Sequence, residues 1–224
     1  MAWAAVVDRV GRRSSLSGLY TPPPRALEPR WWRSDRRRAR AAESARLEIV
    51  CGETHRGFKS HRLRQMAINA PSGPLDDDEA MELALAEARM AELHDDVPVG
   101  AVALVAGRVV AARHNERELK GDPTAHAEIL ALADTASALG TWRLDEVTLV
   151  VTLEPCPMCA GGLVAARVKR VVFGATDTKA GACGTLYNLC ADPRLNHQVD
   201  VTAGVRADQA SALLTGFFAR RRRE

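Results

Sequence analysis

Two short motifs in the second half of the chain contain side chains that bind metals or move protons. His126 and Glu128 belong to the first, Thr-Ala-His-Ala-Glu, and Cys156 and Cys159 belong to the second, Leu-Glu-Pro-Cys-Pro-Met-Cys. Each motif lies where a loop enters a predicted helix. Because residues three apart on a helix share a face, both sulfur atoms should point the same way. A helix N-terminus also lowers the pKa of a thiol, and the thiolate is the form that binds metal.

The types of these side chains predict a catalytic zinc site. Two thiolates and the His126 imidazole favour Zn²⁺ over Mg²⁺ or Ca²⁺. Three protein ligands leave a fourth position open for water, which is typical of catalytic zinc. Zinc lowers the pKa of such a water to about 7. Glu128 can then accept the proton and pass it to a ring nitrogen of a substrate. We therefore expect one zinc ion per chain, held by His126, Cys156 and Cys159, with Glu128 as the catalytic residue.

Two other interpretations of the cysteine pair are open at this stage. A structural zinc site would need a fourth ligand, for which the candidates are Cys183, Cys190, His114 and His197. Such sites usually combine two close cysteine pairs, and the chain has no second one. A thioredoxin-like redox pair would not require the His-x-Glu motif.

The elements that must position these motifs follow from the hydrophobic pattern. Helices are predicted at residues 76 to about 94, 126–139, 156–167 and 209–223. Strands are predicted at residues 97–105, 108–112, 147–152 and 170–174, with a short ambiguous segment at 200–205. A polar loop is expected at residues 114–123. In the last helix, four side chains are expected to point inward: Leu213, Leu214, Phe217 and Phe218. The order of elements predicts an α/β fold with helices on both faces of one sheet.

Length and composition exclude several classes of protein. The 224 residues are enough for one domain with a core that needs no disulfides. No apolar run approaches the roughly 18 residues of a membrane span, so we expect no membrane association. The 5 cysteines are an odd number and include a C-x-x-C, which argues against a disulfide framework and for a reducing compartment. We therefore expect a cytoplasmic protein.

The first third of the chain differs from the rest in charge. Residues 1–65 contain 15 Lys and Arg against 6 Asp and Glu, a net charge of +9. Because the whole chain carries +3, residues 66–224 carry −6. Proline and arginine clusters interrupt every candidate element before residue 76. We expect residues 1–75 to be a disordered, dispensable leader and residues 76–224 to form the enzyme domain. A basic arm for nucleic acid and a transit peptide are the alternatives.

The combined motifs resemble those of the bacterial tRNA-specific adenosine deaminases, a family of the zinc cytidine-deaminase superfamily. His-x-Glu followed by Pro-Cys-x-x-Cys is the signature of zinc nucleobase deaminases. The resemblance runs from about residue 78 to 223 and is carried by residues 97–102, 122–129, 152–156, 171–175, 177, 196–197 and 217–221. It implies a cytidine-deaminase-like, three-layer α/β/α fold with a central mixed sheet of about five strands. It also implies a homodimer that deaminates adenosine to inosine at the wobble position of an arginine tRNA anticodon.

Further site residues follow from the same resemblance. Asn115 matches an asparagine that hydrogen-bonds the flipped adenine, and Asp177 matches an aspartate near the ribose of a neighbouring nucleotide. An Asx-turn for Asn115 and a solvated turn for Asp177 are the structural alternatives. Four arginines could contact the RNA backbone or merely end a helix in solvent: Arg220, Arg221, Arg222 and Arg223.

Two competing functions share part of this pattern. A deaminase of free guanine or cytosine would use the same motifs, although the basic terminal helix and the 174–184 loop resemble the tRNA enzymes. A free-cytidine deaminase would usually have Cys in place of His126. A non-catalytic RNA-binding subunit of a heterodimeric deaminase would usually lack the shuttling glutamate, and Glu128 is present.

Overall fold

A computed structural model describes residues 73–223 of the chain. They form one mixed five-stranded sheet with the strand order β2-β1-β3-β4-β5. The strands are β1 (Gly100–Val105), β2 (Arg108–His114), β3 (Val147–Leu153), β4 (Arg170–Ala175) and β5 (Asp200–Ala203). β1 is antiparallel to β2 and β3, whereas β3, β4 and β5 are parallel to one another. The predicted mixed sheet of about five strands is confirmed.

Helices cover both faces of this sheet. They are α1 (Asp77–Ala91), α2 (Arg117–Lys120), α3 (Ala127–Leu139), α4 (Pro157–Ala165) and α5 (Ala207–Arg221), with a 3₁₀ turn at Glu92–His94. α1 and α5 pack on one face, and α3 and α4 pack on the other. The helices predicted on both faces from the order of elements, and the three-layer α/β/α fold implied by the resemblance, are therefore confirmed.

The central strand β3 shows why its sequence is almost continuously apolar. Leu149 and Val151 face the core beneath α3 and α4, while Val150 faces the core beneath α1 and α5. A strand buried on both faces has no solvent side for polar residues. Because α4 follows β3 directly, this buried strand carries Cys156 and Cys159 to a fixed edge of the sheet.

The junction between α1 and β1 depends on one glycine. A Cβ atom on Gly100 would lie 2.0 Å from the carbonyl oxygen of Ala84, so only glycine lets the helix approach the strand this closely. The start of α1 is closed by a capping box, in which Asp76 and Glu79 each accept the other's backbone N–H. This is the acidic helix start expected from the sequence.

The structure corrects two details of the sequence analysis. The predicted polar loop at 114–123 contains α2, whose first turn is held by the buried carboxylate of Asp96. Phe218, expected to point inward, is 43% exposed, whereas Phe217 is buried. Consecutive helical residues are rotated by about 100°, so only one of the two can face the sheet.

The ambiguous segment at 200–205 contains β5, which pairs with β4.

The leader predicted at residues 1–75 lies almost entirely outside the described residues. Within residues 73–223, no helix has both the length and the apolar character that crossing a bilayer would require.

Candidate active site

Two helix N-termini meet at one edge of the sheet and bring the two chemical motifs together. His126 is the N-cap of α3, and Cys156 is the N-cap of α4, each with an extended backbone. Pro157 occupies the first turn of α4, where its missing N–H costs no hydrogen bond. Cys159 follows in the same turn and is buried. The predicted placement of both motifs at helix starts is confirmed.

The three predicted metal ligands form a cluster whose dimensions suit zinc. The Nδ1 atom of His126 lies 3.5 Å from Sγ of Cys159 and 3.8 Å from Sγ of Cys156. All three ligand atoms lie within 4.8 Å of one another. Tetrahedral zinc with ordinary Zn–N and Zn–S bonds would separate a nitrogen from a sulfur by about 3.6 Å. The donor set and its spacing therefore fit a zinc ion.

The two thiols of the cluster have opposite tendencies to ionise. The hydrogen bond from Cys159 lowers the pKa of Cys156 to about 3, and His126 acts in the same direction. The same hydrogen bond, followed by burial, raises the pKa of Cys159. Cys156 thus ionises more readily than Cys159, and metal binding would have to release any proton that the Cys159 thiol holds.

Glu128 lies beside the cluster in the first turn of α3 and is buried. Its carboxyl group interacts with the Cys159 thiol. Burial raises the pKa of Glu128 above its usual value, against the opposing effects of its own backbone N–H and of the His126 ring. A carboxylate with a raised pKa accepts protons readily, as a general base near neutral pH must.

The buried side chain of Asn115 joins the end of β2 to the start of α3. Its amide nitrogen donates to the Val97 carbonyl at 3.1 Å, and its amide oxygen accepts the Ala127 N–H at 3.0 Å. These partners are distant in sequence, so the residue does not form the Asx-turn considered as an alternative. Ala127 follows the candidate ligand His126 directly, which places Asn115 next to the cluster. An amide has two N–H groups and two lone pairs on oxygen, so one of each has no partner among residues 73–223.

Asp177 lies in the loop after β4 and is partly exposed. Its Oδ1 atom accepts the backbone N–H groups of Lys179 and Ala180 at 2.8 and 3.2 Å. The residue therefore shapes a turn, as its structural alternative proposed. Among residues 73–223, Oδ2 of Asp177 has no hydrogen-bond donor.

Next to the cysteine motif the structure reveals a buried carboxylate that the sequence analysis did not single out. Glu154 lies between β3 and Cys156 and is only 2% exposed. Burial opposes its ionisation, but hydrogen bonds from Thr185, Asp177 and Cys183 outweigh burial and lower its pKa. The sequence did contain a signal for this residue, because an acidic side chain directly after an apolar strand is expected to be buried. A buried charge needs hydrogen-bond partners.

The four terminal arginines lie at the exposed end of α5. Arg220 forms an ion pair with Glu92 at 2.9 Å. The guanidinium of Arg221 lies 5.3 Å from the centre of the Phe217 ring. The charge of Arg220 is thus partly satisfied within the protein, which leaves Arg221, Arg222 and Arg223 as the freer cations of the group.

None of the candidates for a fourth, structural ligand joins the cluster within the described part of the chain. The sulfur atoms of Cys183 and Cys190 lie 3.5 Å apart in the core. His114 contacts a glutamate, and His197 contacts a backbone carbonyl. Among residues 73–223 the cluster therefore offers three candidate ligands, the number that an open catalytic zinc site uses.

Comparison with known proteins finds a deaminase family and deaminase relatives. Residues 75–222 match the MafB19-like deaminase family. A tRNA-specific adenosine deaminase of Bacillus subtilis (strain 168) is 49% identical over 142 residues, which are 63% of this chain and 88% of that protein. A structure solved in studies of A-to-I editing by tRNA:A34 deaminases at the wobble position of transfer RNA is 42% identical, with a TM-score of 0.59 over 60% of this chain and 98% of its own.

A more distant structural relative has another substrate. The guanine deaminase of Nitrosomonas europaea is 26% identical, with a TM-score of 0.61 over 75% of this chain and 97% of its own. Both solved structures are deaminases, in agreement with the three-layer fold and with the cluster of His126, Cys156 and Cys159 beside Glu128. The family match over residues 75–222 and the identity to the Bacillus subtilis protein show that this chain belongs to the tRNA-specific adenosine deaminases, a family of hydrolytic enzymes.

Proposed function

We propose that this enzyme converts adenosine to inosine by hydrolysis at the wobble position of the anticodon of an arginine tRNA. The cluster of His126, Cys156 and Cys159 with the buried Glu128 beside it carries the proposal. The identity to tRNA-specific adenosine deaminases supports tRNA as the substrate. The relative described as a tRNA:A34 deaminase supports the wobble position. We further propose a cytoplasmic homodimer, on the basis of the family resemblance.

The proposed reaction needs a metal ion and a side chain that carries protons. A zinc ion held by His126, Cys156 and Cys159 would supply Lewis acidity and a water activated near neutral pH. The carboxylate of Glu128 accepts a proton from the attacking water and delivers it to N1 of the adenine ring as C6 is attacked. The second proton of the water passes to the exocyclic amino group as the C6–N bond breaks, so ammonia leaves, and the base that remains is hypoxanthine, the base of inosine. Burial of Glu128 favours this role because it raises the affinity of the carboxylate for the proton.

The substrate base must leave its stack to reach the cluster between two helix starts. Flipping costs a few kcal/mol, and less in a single-stranded loop, which favours an anticodon loop over a duplex. Asn115 is fixed by Val97 and Ala127 with one amide N–H and one lone pair unused. We assign these free groups to the edge of the adenine ring.

The remaining contacts concern the RNA backbone. The free Oδ2 of Asp177 is suited to accept a hydrogen bond from a ribose 2′-hydroxyl, the group that distinguishes RNA from DNA. Arg221, Arg222 and Arg223 offer charges to phosphates, while Arg220 is already paired with Glu92. Since residues 66–224 carry a net negative charge, RNA is attracted to this part of the chain by such local groups and not by its net charge.

One assay separates the proposed reaction from its competitors. Purified enzyme is incubated with an arginine tRNA anticodon stem-loop carrying adenosine at the wobble position, with the same loop in which that adenosine is moved by one position, and with free guanine or cytosine. We expect inosine only in the first loop. Release of xanthine from guanine or uracil from cytosine without inosine formation would show a free-base deaminase. Binding of the loop without any product would indicate a non-catalytic subunit.

A further inference from the structure

The side chain of Glu154 holds one segment of the loop that follows β4. Its Oε1 atom accepts the backbone N–H groups of Cys183 and Thr185, both at 3.0 Å. Its Oε2 atom accepts the backbone N–H of Asp177 at 3.0 Å and the Thr185 hydroxyl at 2.5 Å. All four donors belong to residues 177–185, which we call the Glu154 loop.

This carboxylate has no cationic partner in the part of the chain that the structure describes. Its negative charge is balanced only by the four donors of the Glu154 loop. A buried charge without a partner of opposite sign is retained at a cost, unless hydrogen bonds saturate it. A carboxylate can accept two hydrogen bonds at each oxygen, and no other side chain of this size accepts four. Glutamate therefore has enough acceptor sites to bind all four donors of the loop.

Backbone contacts bring the same two segments together. The N–H of Glu154 donates to the Ala175 carbonyl at 2.8 Å, and the N–H of Ala182 donates to the Pro155 carbonyl at 2.9 Å. A Cβ atom on Gly181 would lie 2.4 Å from Oε2 of Glu154. The Glu154 loop thus approaches the carboxylate as closely as a glycine backbone permits.

We propose that Glu154 is a positioning residue that sets Asp177 at a fixed place relative to the zinc ligand Cys156. Glu154 lies two residues before Cys156, and it binds the backbone N–H of Asp177 itself. One carboxylate therefore joins the segment that carries metal ligands to the loop that carries the proposed ribose contact. The inference rests on the proposed function, because the contact of Asp177 with RNA is part of it.

The substitution Glu154→Gln tests this role with almost no change in volume. An amide still accepts at one oxygen, but its NH₂ group replaces the other acceptor, so the hydrogen bonds to the Glu154 loop cannot all persist. We expect faster hydrogen exchange at the amides of Asp177, Cys183 and Thr185, with unchanged zinc content. For the RNA stem-loop we expect KM to rise about 10-fold while kcat stays within about 3-fold, as for a loss of uniform binding.

A double-mutant cycle with Asp177→Ala distinguishes positioning from general stabilisation. If Glu154 acts through Asp177, the effect of Glu154→Gln on kcat/KM should shrink to about 2-fold or less in the Asp177→Ala background. Additive effects, or an unchanged KM in Glu154→Gln, would overturn the proposal. A wild-type enzyme that deaminates no RNA would instead contradict the proposed function, so the two failures are distinguishable.

A milder pair of variants covers the case in which Glu154→Gln does not fold. Thr185→Val removes one of the four donors and adds no new polar group, so it should raise KM about 3-fold in the same direction. Thr135→Val is the matched control, because its buried hydroxyl donates to the Ala131 carbonyl within α3. Equal KM values for the two threonine variants would also overturn the proposal.

Discussion

The Nδ1 atom of His126 lies 3.5 Å from the sulfur atom of Cys159, although 33 residues separate them in the chain. The contact exists because α3 and α4 begin at the same edge of the sheet. Each helix start presents unpaired N–H groups and a partial positive charge, which stabilise thiolates there. The cluster therefore forms only because the sheet places the two helix starts side by side, and neither motif alone could form it.

Removal of one thiolate should abolish tight metal binding. We expect Cys156→Ala to lose the single zinc of each chain, because two ligands do not hold Zn²⁺ as three do. Cys190→Ala is the control, since that cysteine is also a free thiol but contacts Cys183 outside the cluster. Elemental analysis after gel filtration measures the metal. Undiminished zinc in Cys156→Ala would disprove this ligand assignment.

Loss of the proton carrier should separate metal binding from catalysis. We expect Glu128→Gln to keep zinc and fold but to lower turnover by at least about 100-fold, because the amide cannot accept and return a proton. Zinc content, the melting temperature and inosine formation are measured on the same preparation. Near-normal inosine formation in zinc-loaded Glu128→Gln would mean that another group carries the proton.

The proposed ribose contact should determine the preference for RNA. Asp177→Asn keeps an oxygen that can accept the N–H groups of Lys179 and Ala180, so the turn should survive while the charge is removed. We expect this variant to relax the preference for RNA over DNA, and Asp177→Ala to weaken tRNA turnover without loss of zinc. Deamination of matched RNA and DNA stem-loops provides the ratio. An RNA-to-DNA ratio that stays constant in both variants would remove Asp177 from the site.

The basic end of α5 should act on affinity without regard to loop sequence. We expect neutralisation of residues 220–223 to weaken binding of every stem-loop and to reduce the salt slope by about 1 for each phosphate that the arginines no longer neutralise. Arg220→Gln alone should do less than Arg221→Gln, because Arg220 is paired with Glu92. Arg108→Gln, at the exposed β1–β2 turn, serves as the control. Equal salt slopes for wild type and the fully neutralised tail would contradict a role in phosphate binding.

Acid should remove the stabilisation that Asp96 provides. Burial disfavours its charge, but hydrogen bonds from the N–H groups of Glu118 and Leu119 and from His94 outweigh burial and lower the pKa of Asp96. The pKa of Asp96 in the folded protein lies below the unfolded value of about 3.9. The stabilisation by its carboxylate is therefore complete above that unfolded value. It is lost as the pH falls through the folded pKa.

We therefore expect Asp96→Asn to lower the free energy of unfolding by about 1–3 kcal/mol at neutral pH. The difference from wild type should shrink below about pH 4. Urea unfolding at neutral and acid pH measures it, with Asp145→Asn at an exposed ion pair as the control. A difference that persists undiminished in acid would show that the carboxylate charge is not what stabilises α2.

Sequence reasoning was sufficient for the features that local chemistry encodes. Apolar periodicity predicted the layers and the long elements, because a helix or a strand buries a repeating set of positions. The side-chain types of His126, Cys156 and Cys159 predicted a zinc site, because few other residues bind that metal, and the structure brings the three side chains together. The raised pKa of Glu128 agrees with the role expected from its place in the motif.

Other features depend on groups that are far apart in the chain, and only the tertiary structure decided them. Asn115 is held by Val97 and Ala127, and Glu154 is held by donors up to 31 residues away. α2 exists within a polar loop because Asp96 caps it from 22 residues before. No local pattern encodes such partners, since a buried polar group is satisfied by whatever the packed layers bring within hydrogen-bonding distance.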